Sequence, residues 1–211
     1  MGARQPQATR EQILQAAFQS VYEHGLFGTS LDSVLARTRV TKGALYHHFE
    51  CKQALGRALI DEVVAARVRA TWVEPLIGTR DPIAKLQGLI RAVAKEVPEE
   101  MLRFGCPLNN LAQEISALDE QLRARVKAIF SGWVEELQRA LRRGQRVGTV
   151  RADVEVERAA VFVVGAIEGA LSLGKTTRDG GVLRCALEEL ATYLESLRPA
   201  RPARTPRQRP R

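Results

Sequence analysis

The chain predicts an all-α fold, and three observations carry that expectation. Helix formers (Ala, Leu, Glu, Arg, Gln) dominate the 211 residues, alternating β-branched runs are absent, and apolar residues recur at helical spacing. A hydrophobic content of 45% supplies a packed core. The expected architecture is a three-helix head over residues 1–50, a larger helical body over 51–197 and a tail over 198–211, about nine helices in all. Pro and Arg fill that tail, so it cannot bury a core and should be disordered.

Each helix has its own justification. Thr9 to Gly25 forms the first, with Ile13, Leu14, Ala17 and Val21 as a buried stripe and Gly25 as its stop. Ser30 or Thr29 caps a short second helix, whose Leu31, Val34 and Leu35 share one face. Thr38, Arg39 and Val40 break the pattern, and Thr41 caps a third helix with Lys42, Gly43 and Ala44 in its first turn. That helix buries Leu45 and Phe49 and turns Lys42, Tyr46, His47 and His48 outward. A helix, a tight turn and a second helix of this kind fit a DNA groove, where the N-terminal residues of the second helix read bases. The same geometry also serves as a plain structural corner.

The body continues the pattern. A fourth helix runs from Lys52 to near Trp72, before Pro75 and Gly78. A fifth starts at Asp81 with Pro82 in its first turn and reaches about Val97. The pattern loosens over Pro98 to Arg103, tightens into a short helix over Leu108 to Ile115, and then gives a long helix from Asp119 to about Gly144. After a loop marked by Gly144 and Gly148, Asp153 caps an apolar helix that ends near Leu173. The last helix, Val182 to Leu197, aligns Leu183, Leu187, Leu190 and Leu194. From Ala159 to Leu173 the penultimate helix is apolar almost all round, with Gly165, Gly169 and Ala170 allowing close approach. A helix apolar on every side is buried on every side, either inside one chain or against a second copy.

Charge adds less than it promises. Of the formal +8, the six arginines between Arg198 and Arg211 supply most, while residues 1–55 carry six Lys/Arg against four Asp/Glu. The motif therefore argues for DNA more strongly than the net charge does. The tail reads either as a solvated terminus or as a source of sequence-independent attraction to DNA. The polar residues 1–12 do not resemble a signal peptide, and the longest apolar stretch, Ala159 to Ile167, is short of the ~18–20 residues that span a bilayer. Three widely spaced cysteines are no disulfide framework. A reduced, cytoplasmic protein without membrane partners is expected.

Residues 9 to about 55 resemble the N-terminal DNA-binding domain of the TetR/AcrR regulators, above all in VTKGALYHHFECKQAL, from Val40 to Leu55. The resemblance implies a transcriptional regulator, commonly a repressor, that binds a palindromic operator as a homodimer through its last two helices. It also implies DNA contacts at Thr29, Ser30, Thr41, Lys42, Gly43, Tyr46, His47 and Lys52, with Thr29 and Lys52 on phosphates. Hydroxyl and lysine contacts to phosphate set register, and the few groove-facing residues read sequence. Two positions depart from the pattern. Arg39 stands where a turn glycine is usual, implying either a different turn or a strain of roughly 1 kcal/mol. Cys51 replaces the commoner capping residue before the fourth helix.

The body resembles the family's ligand-binding domain more loosely. Phe104 to Ser116, FGCPLNNLAQEIS, looks like a subgroup that responds to electrophiles or oxidants through a cysteine. On that reading Cys106, ahead of Pro107 at a helix start, has a thiol pKa lowered by the helix N–H groups, and Lys175 is its partner. The plainer reading makes Cys106 a small buried hydrophobe. A conventional inducer is the competing mechanism, in an apolar pocket lined by Trp72, Leu89, Phe104, Leu108, Trp133 and Phe162. No enzyme is expected. His24, His47 and His48 all lie in the head without metal spacing, and no cofactor motif is present. The remaining alternative is a non-specific architectural DNA-binding protein, marked by steep salt dependence and little sequence preference.

Overall fold

The computed structural model describes residues 6–200, and every secondary-structure element among them is helical. The expected tail lies outside the described residues from Arg201 onward. Its first residue, Arg198, reaches Asp81 at 3.0 Å and Glu195 at 3.1 Å.

Helix α1 (Pro6–Gly28) is broken at Gly25, where φ is 78°. The expected stop is therefore real, but the chain makes another turn beyond it. Only glycine suits this point, because a Cβ in that left-handed backbone would meet Glu114 Oε1 at 2.8 Å. Helix α2 (Leu31–Ala36) opens on a capping box in which the Ser30 and Ser33 side chains each bond the other's backbone N–H. In α3 (Lys42–His48) the Thr41 hydroxyl accepts from Ala44 N–H at 3.2 Å. Ile13, Val34, Leu45 and Phe49 are buried in one core that continues into the body. Arg178 is the one non-glycine residue with positive φ among the described residues, so the turn at Arg39 carries no left-handed strain.

The expected fourth helix is a composite. Helix α4 (Lys52–Ala58) passes into a π-helical stretch (Leu59–Val64), α5 (Ala65–Val68), a second π-helical stretch (Arg69–Val73) and a 3-10 turn (Glu74–Leu76). The N–H groups of Ala65 and Glu74 donate five residues back, to Ile60 O and Arg69 O. Such wide turns rotate the side chains that follow them and often flank functional sites.

Six helices complete the body. Helix α6 (Pro82–Lys95) is capped by Asp81, and α7 (Glu99–Phe104) forms where the sequence pattern loosens. Helix α8 (Pro107–Ile115) precedes α9 (Glu120–Val147), which Asp119 caps. Gly144 belongs to α9 and not to a loop, and Val150 and Pro82 pack on it so closely that a Cβ would lie 2.5 Å from Val150 Cγ2. Helix α10 (Val156–Thr177) starts after Glu155 without a side-chain cap, so Asp153 is not the cap; it pairs with Arg151 instead. Helix α11 (Gly180–Ser196) buries Leu183, Leu187, Leu190 and Leu194, each contributing roughly 1.5–3 kcal/mol by leaving water.

Within this single chain, α10 is not buried all round. Val161, Phe162 and Leu173 are each more than half exposed, and Gly165 and Gly169 face open space. No helix among the described residues is long and apolar enough to cross a membrane.

Candidate nucleic-acid interface and ligand cleft

The presentation of α3 follows from its anchors. Leu45 and Phe49 fasten one face to the core, and the Arg10 guanidinium lies 5.1 Å from the centre of the Phe49 ring on the outer side. Arg10 is itself paired with Glu62, which ties α1 to the π-helical stretch. The opposite face of α3 shows Lys42, Gly43, Tyr46 and His47 to solvent, as their spacing predicts. Among the described residues the Lys42 ammonium meets the exposed Asp32 carboxylate alone, at 3.6 Å. Such a surface pair is weak and open to competition from phosphate. The Gly43 backbone meets no side chain that would block a close approach.

Two expected phosphate ligands are engaged elsewhere. Thr29 is only 4% exposed, and its hydroxyl donates inward to Gly25 O at 2.8 Å and Ser20 Oγ at 3.2 Å. It closes the α1 break and is not a surface ligand, a correction to the sequence reading. Ser30 is exposed and is the actual cap. Lys52 donates to Phe27 O at 3.0 Å, so its ammonium stands beside the head but with a protein partner already. Cys51 is exposed at the start of α4 and its thiol caps nothing.

The head is clasped to the body at the Gly25 break. Glu114, on α8, accepts from Leu26 N–H at 2.7 Å and from Phe27 N–H at 2.6 Å. One turn earlier on α1, the Tyr22 hydroxyl donates to Gly105 O at 2.5 Å, just ahead of α8. Sequence reasoning missed this clasp, because nothing local links positions 88 residues apart.

A cleft of about 240 Å³ opens beside that joint, lined by Phe18, Tyr22, Arg67, Trp72, Met101 and Cys106 among others. Of the six residues expected to line a pocket, only Trp72 lines this one. Leu108 is core, Leu89 packs against the core, and the Phe104 ring lies 5.2 Å from that of Tyr22. Trp133 is fully buried, stacks on Trp72 at 5.4 Å, and belongs to a separate groove beside α9. Phe162 is 52% exposed and meets Tyr193 edge-on at 4.5 Å on the outer face of α10 and α11. A sidedness error explains it: an all-apolar helix gives no sequence cue to which side faces the cleft.

Cys106 also departs from expectation. Its thiol donates to Glu168 Oε1 at 3.3 Å. Burial pushes the thiol pKa well above its ordinary value, and the Glu168 charge adds to that. The α8 N–H groups of Asn109 and Leu108 pull the other way and lose. Lys175 is not its partner, since that ammonium donates to Asn110 Oδ1 at 2.8 Å while the stem packs over Gly105. The Tyr22 hydroxyl is likewise pushed up, to about 12, chiefly by burial. Glu168 was the unread signal: it is the one charged residue between Ala159 and Leu173.

Known proteins place this arrangement. Residues 13–59 match the model for bacterial regulatory proteins of the tetR family, and residues 82–190 match the tetracyclin repressor-like C-terminal domain. A transcriptional regulator of helix-turn-helix type from the lacX 3' region of Lactococcus lactis subsp. lactis is 31% identical, covering 90% of this chain and 94% of its own length. The transcriptional repressor DhaR of Mycobacterium sp. (strain GP1) is 27% identical over 84% of this chain and 86% of its own. The crystal structure of a TetR transcriptional regulator from Chloroflexus aurantiacus superposes with a TM-score of 0.79 at 30% identity, covering 91% of this chain and 96% of that one. With an exposed α3 on a matching head, and a helical body matched over more than half of the chain, this protein belongs to the tetR family of DNA-binding transcriptional regulators.

Proposed function

We propose that the chain is a cytoplasmic, homodimeric repressor whose residues 1–50 read a palindromic operator and whose residues 51–197 sense a small molecule. The observation that carries this reading is the open apolar face of α10, on the same chain as a solvent-facing α3. Val161, Phe162, Leu173 and the bare backbones of Gly165 and Gly169 form that face. Clustered exposed apolar side chains mark an interaction surface, and small residues let two helices approach closely. A two-fold contact there gives two α3 helices, and palindromic half-sites about 34–36 Å apart would mirror that symmetry. The similarity to DhaR, a transcriptional repressor, favours repression over activation.

Lys42, Gly43, Tyr46 and His47 would make the groove contacts, with Thr41, Ser30 and Lys52 at the phosphates. Lys52 would exchange Phe27 O for phosphate. Release by a non-covalent ligand fits the cleft better than release by thiol chemistry. A reactive cysteine needs thiolate character, and the Cys106 thiol is held protonated by burial and by Glu168. Ligand in the cleft would press on Tyr22 and Gly105, and α8 would carry the shift through Glu114 to the α1 break. The population would then move to a state with the α3 helices wrongly spaced.

Sedimentation of the purified chain combined with anisotropy of fluorescent duplexes tests this reading. A dimer with strong preference for one palindrome supports it. A monomer, or equal affinity for scrambled duplexes with steep salt dependence, overturns it in favour of architectural binding.

A further inference from the structure

Two buried side-chain polar atoms among the described residues lack a hydrogen-bond partner, Trp133 Nε1 and Glu168 Oε2, and only the second belongs to an ionisable group. Glu168 is 7% exposed on α10, inside the apolar run of that helix. Oε1 takes the Cys106 thiol, and Oε2 has no partner. Burial of an acceptor without a partner is unfavourable, and more so for a charge. An acid kept at such a place points to a ligand that completes it.

The surroundings say what kind. Cys106, bonded to Glu168, lines the cleft, and so does Leu171, one turn further along the same face of α10. Phe18, Tyr22 and Trp72 bring three aromatic rings to the cleft, Glu100 brings a carboxylate to its lining, and Glu168 stands behind Cys106. The cation on the lining, Arg67, lies over the Phe18 ring at 4.0 Å, so this aromatic face already makes a cation–π contact. Aromatic faces with an unpaired acid behind them recognise an apolar ammonium or amidinium group. At 240 Å³ the cleft is below the roughly 300–1,000 Å³ usual for drug-sized ligands, so the molecule is compact.

We propose that Glu168 is the polar anchor of the cleft, and that the ligand it selects is a compact apolar monocation such as an arylalkylamine. The proposal rests on the reading of the cleft as the sensing site. Ionisation is within reach when such a cation arrives, because burial leaves the Glu168 carboxyl at about 7. The cation would pair with Oε2 while Cys106 keeps Oε1.

Of the chain's two tryptophans, Trp72 lines the cleft and stacks on Trp133 behind it, so intrinsic emission reports occupancy. The full chain is titrated with 2-phenylethylamine, its neutral isostere 2-phenylethanol, and phenylacetate, each against the parent and Glu168→Gln. Thermal melts of both proteins check folding. The expected result is saturable quenching by the amine, at least tenfold weaker in Glu168→Gln, with the alcohol weak in both proteins and phenylacetate silent. If the alcohol binds as well as the amine, or Glu168→Gln binds the amine unchanged, the cation assignment falls and the cleft reading stands. If no compound quenches the parent, both fall.

Discussion

Removing the charge of Glu168 should stabilise the protein, and only above mildly acidic pH. In the folded chain burial holds this carboxyl at about 7, against 4.5 in the unfolded chain. Below 4.5 both states are protonated and nothing is lost. Between 4.5 and 7 the folded state keeps a proton that the unfolded state releases, so stability falls as pH rises, and above 7 the loss is complete. At 1.36 kcal/mol per pH unit, that interval amounts to about 3 kcal/mol. Glu168→Gln keeps the shape and cannot ionise. The difference between variant and parent isolates this one group, because the surface carboxylates with lowered pKa values, such as Glu23 and Glu62, are common to both. Urea unfolding at matched protein concentration, at pH 5 and pH 8, is the assay. With slopes of about 1–3 kcal/mol per molar urea, the variant should unfold about 1 M or more later than the parent at pH 8, and much closer to it at pH 5. Curves that stay parallel from pH 5 to pH 8 would refute the buried, unpartnered acid on which the ligand argument stands.

Three further outcomes follow from the same geometry. Glu114→Ala strips the acceptor from the Leu26 and Phe27 N–H groups, so it should lower stability by about 2–3 kcal/mol and weaken operator binding without changing oligomeric state, as read by melts, anisotropy and sedimentation. Lys52→Ala should weaken binding to matched and scrambled duplexes alike and reduce the slope of log affinity against log salt by about 1; a loss confined to one base pair would contradict its phosphate role. Phe162→Glu places a charge on the open face of α10, so sedimentation should find monomers with unchanged helical circular dichroism; a persistent dimer would move the interface elsewhere.

The head was legible from sequence because its signals are local. Thr41 caps three residues away, and Leu45 and Phe49 repeat at one helical turn, so spacing alone orients α3. Asp81 with Pro82, and the leucine row of α11, were legible for the same reason. The π-helical turns of residues 59–73 were not, since an apolar pattern looks alike whether N–H groups reach back four residues or five. Thr29 was misplaced because a hydroxyl at a helix junction can cap the next helix or close the last one, and only the Gly25 break decides which. Long-range pairs were invisible: Glu114 with the α1 break, and Cys106 with Glu168 in place of Lys175. The inward-facing acid of α10 was in plain view as a lone charge in an apolar run, and its meaning came only with its neighbours.

The most direct test of the whole account is anisotropy of a labelled duplex from upstream of the chain's own gene, titrated with the purified protein at fixed salt and competed with scrambled sequence. The account predicts saturable binding that scrambled DNA displaces only at an excess of about a thousandfold or more, lost in a variant that replaces Lys42, Tyr46 and His47 with alanine. Equal displacement by scrambled DNA, or unchanged preference in that variant, would contradict the assignment of α3 as the element that reads sequence.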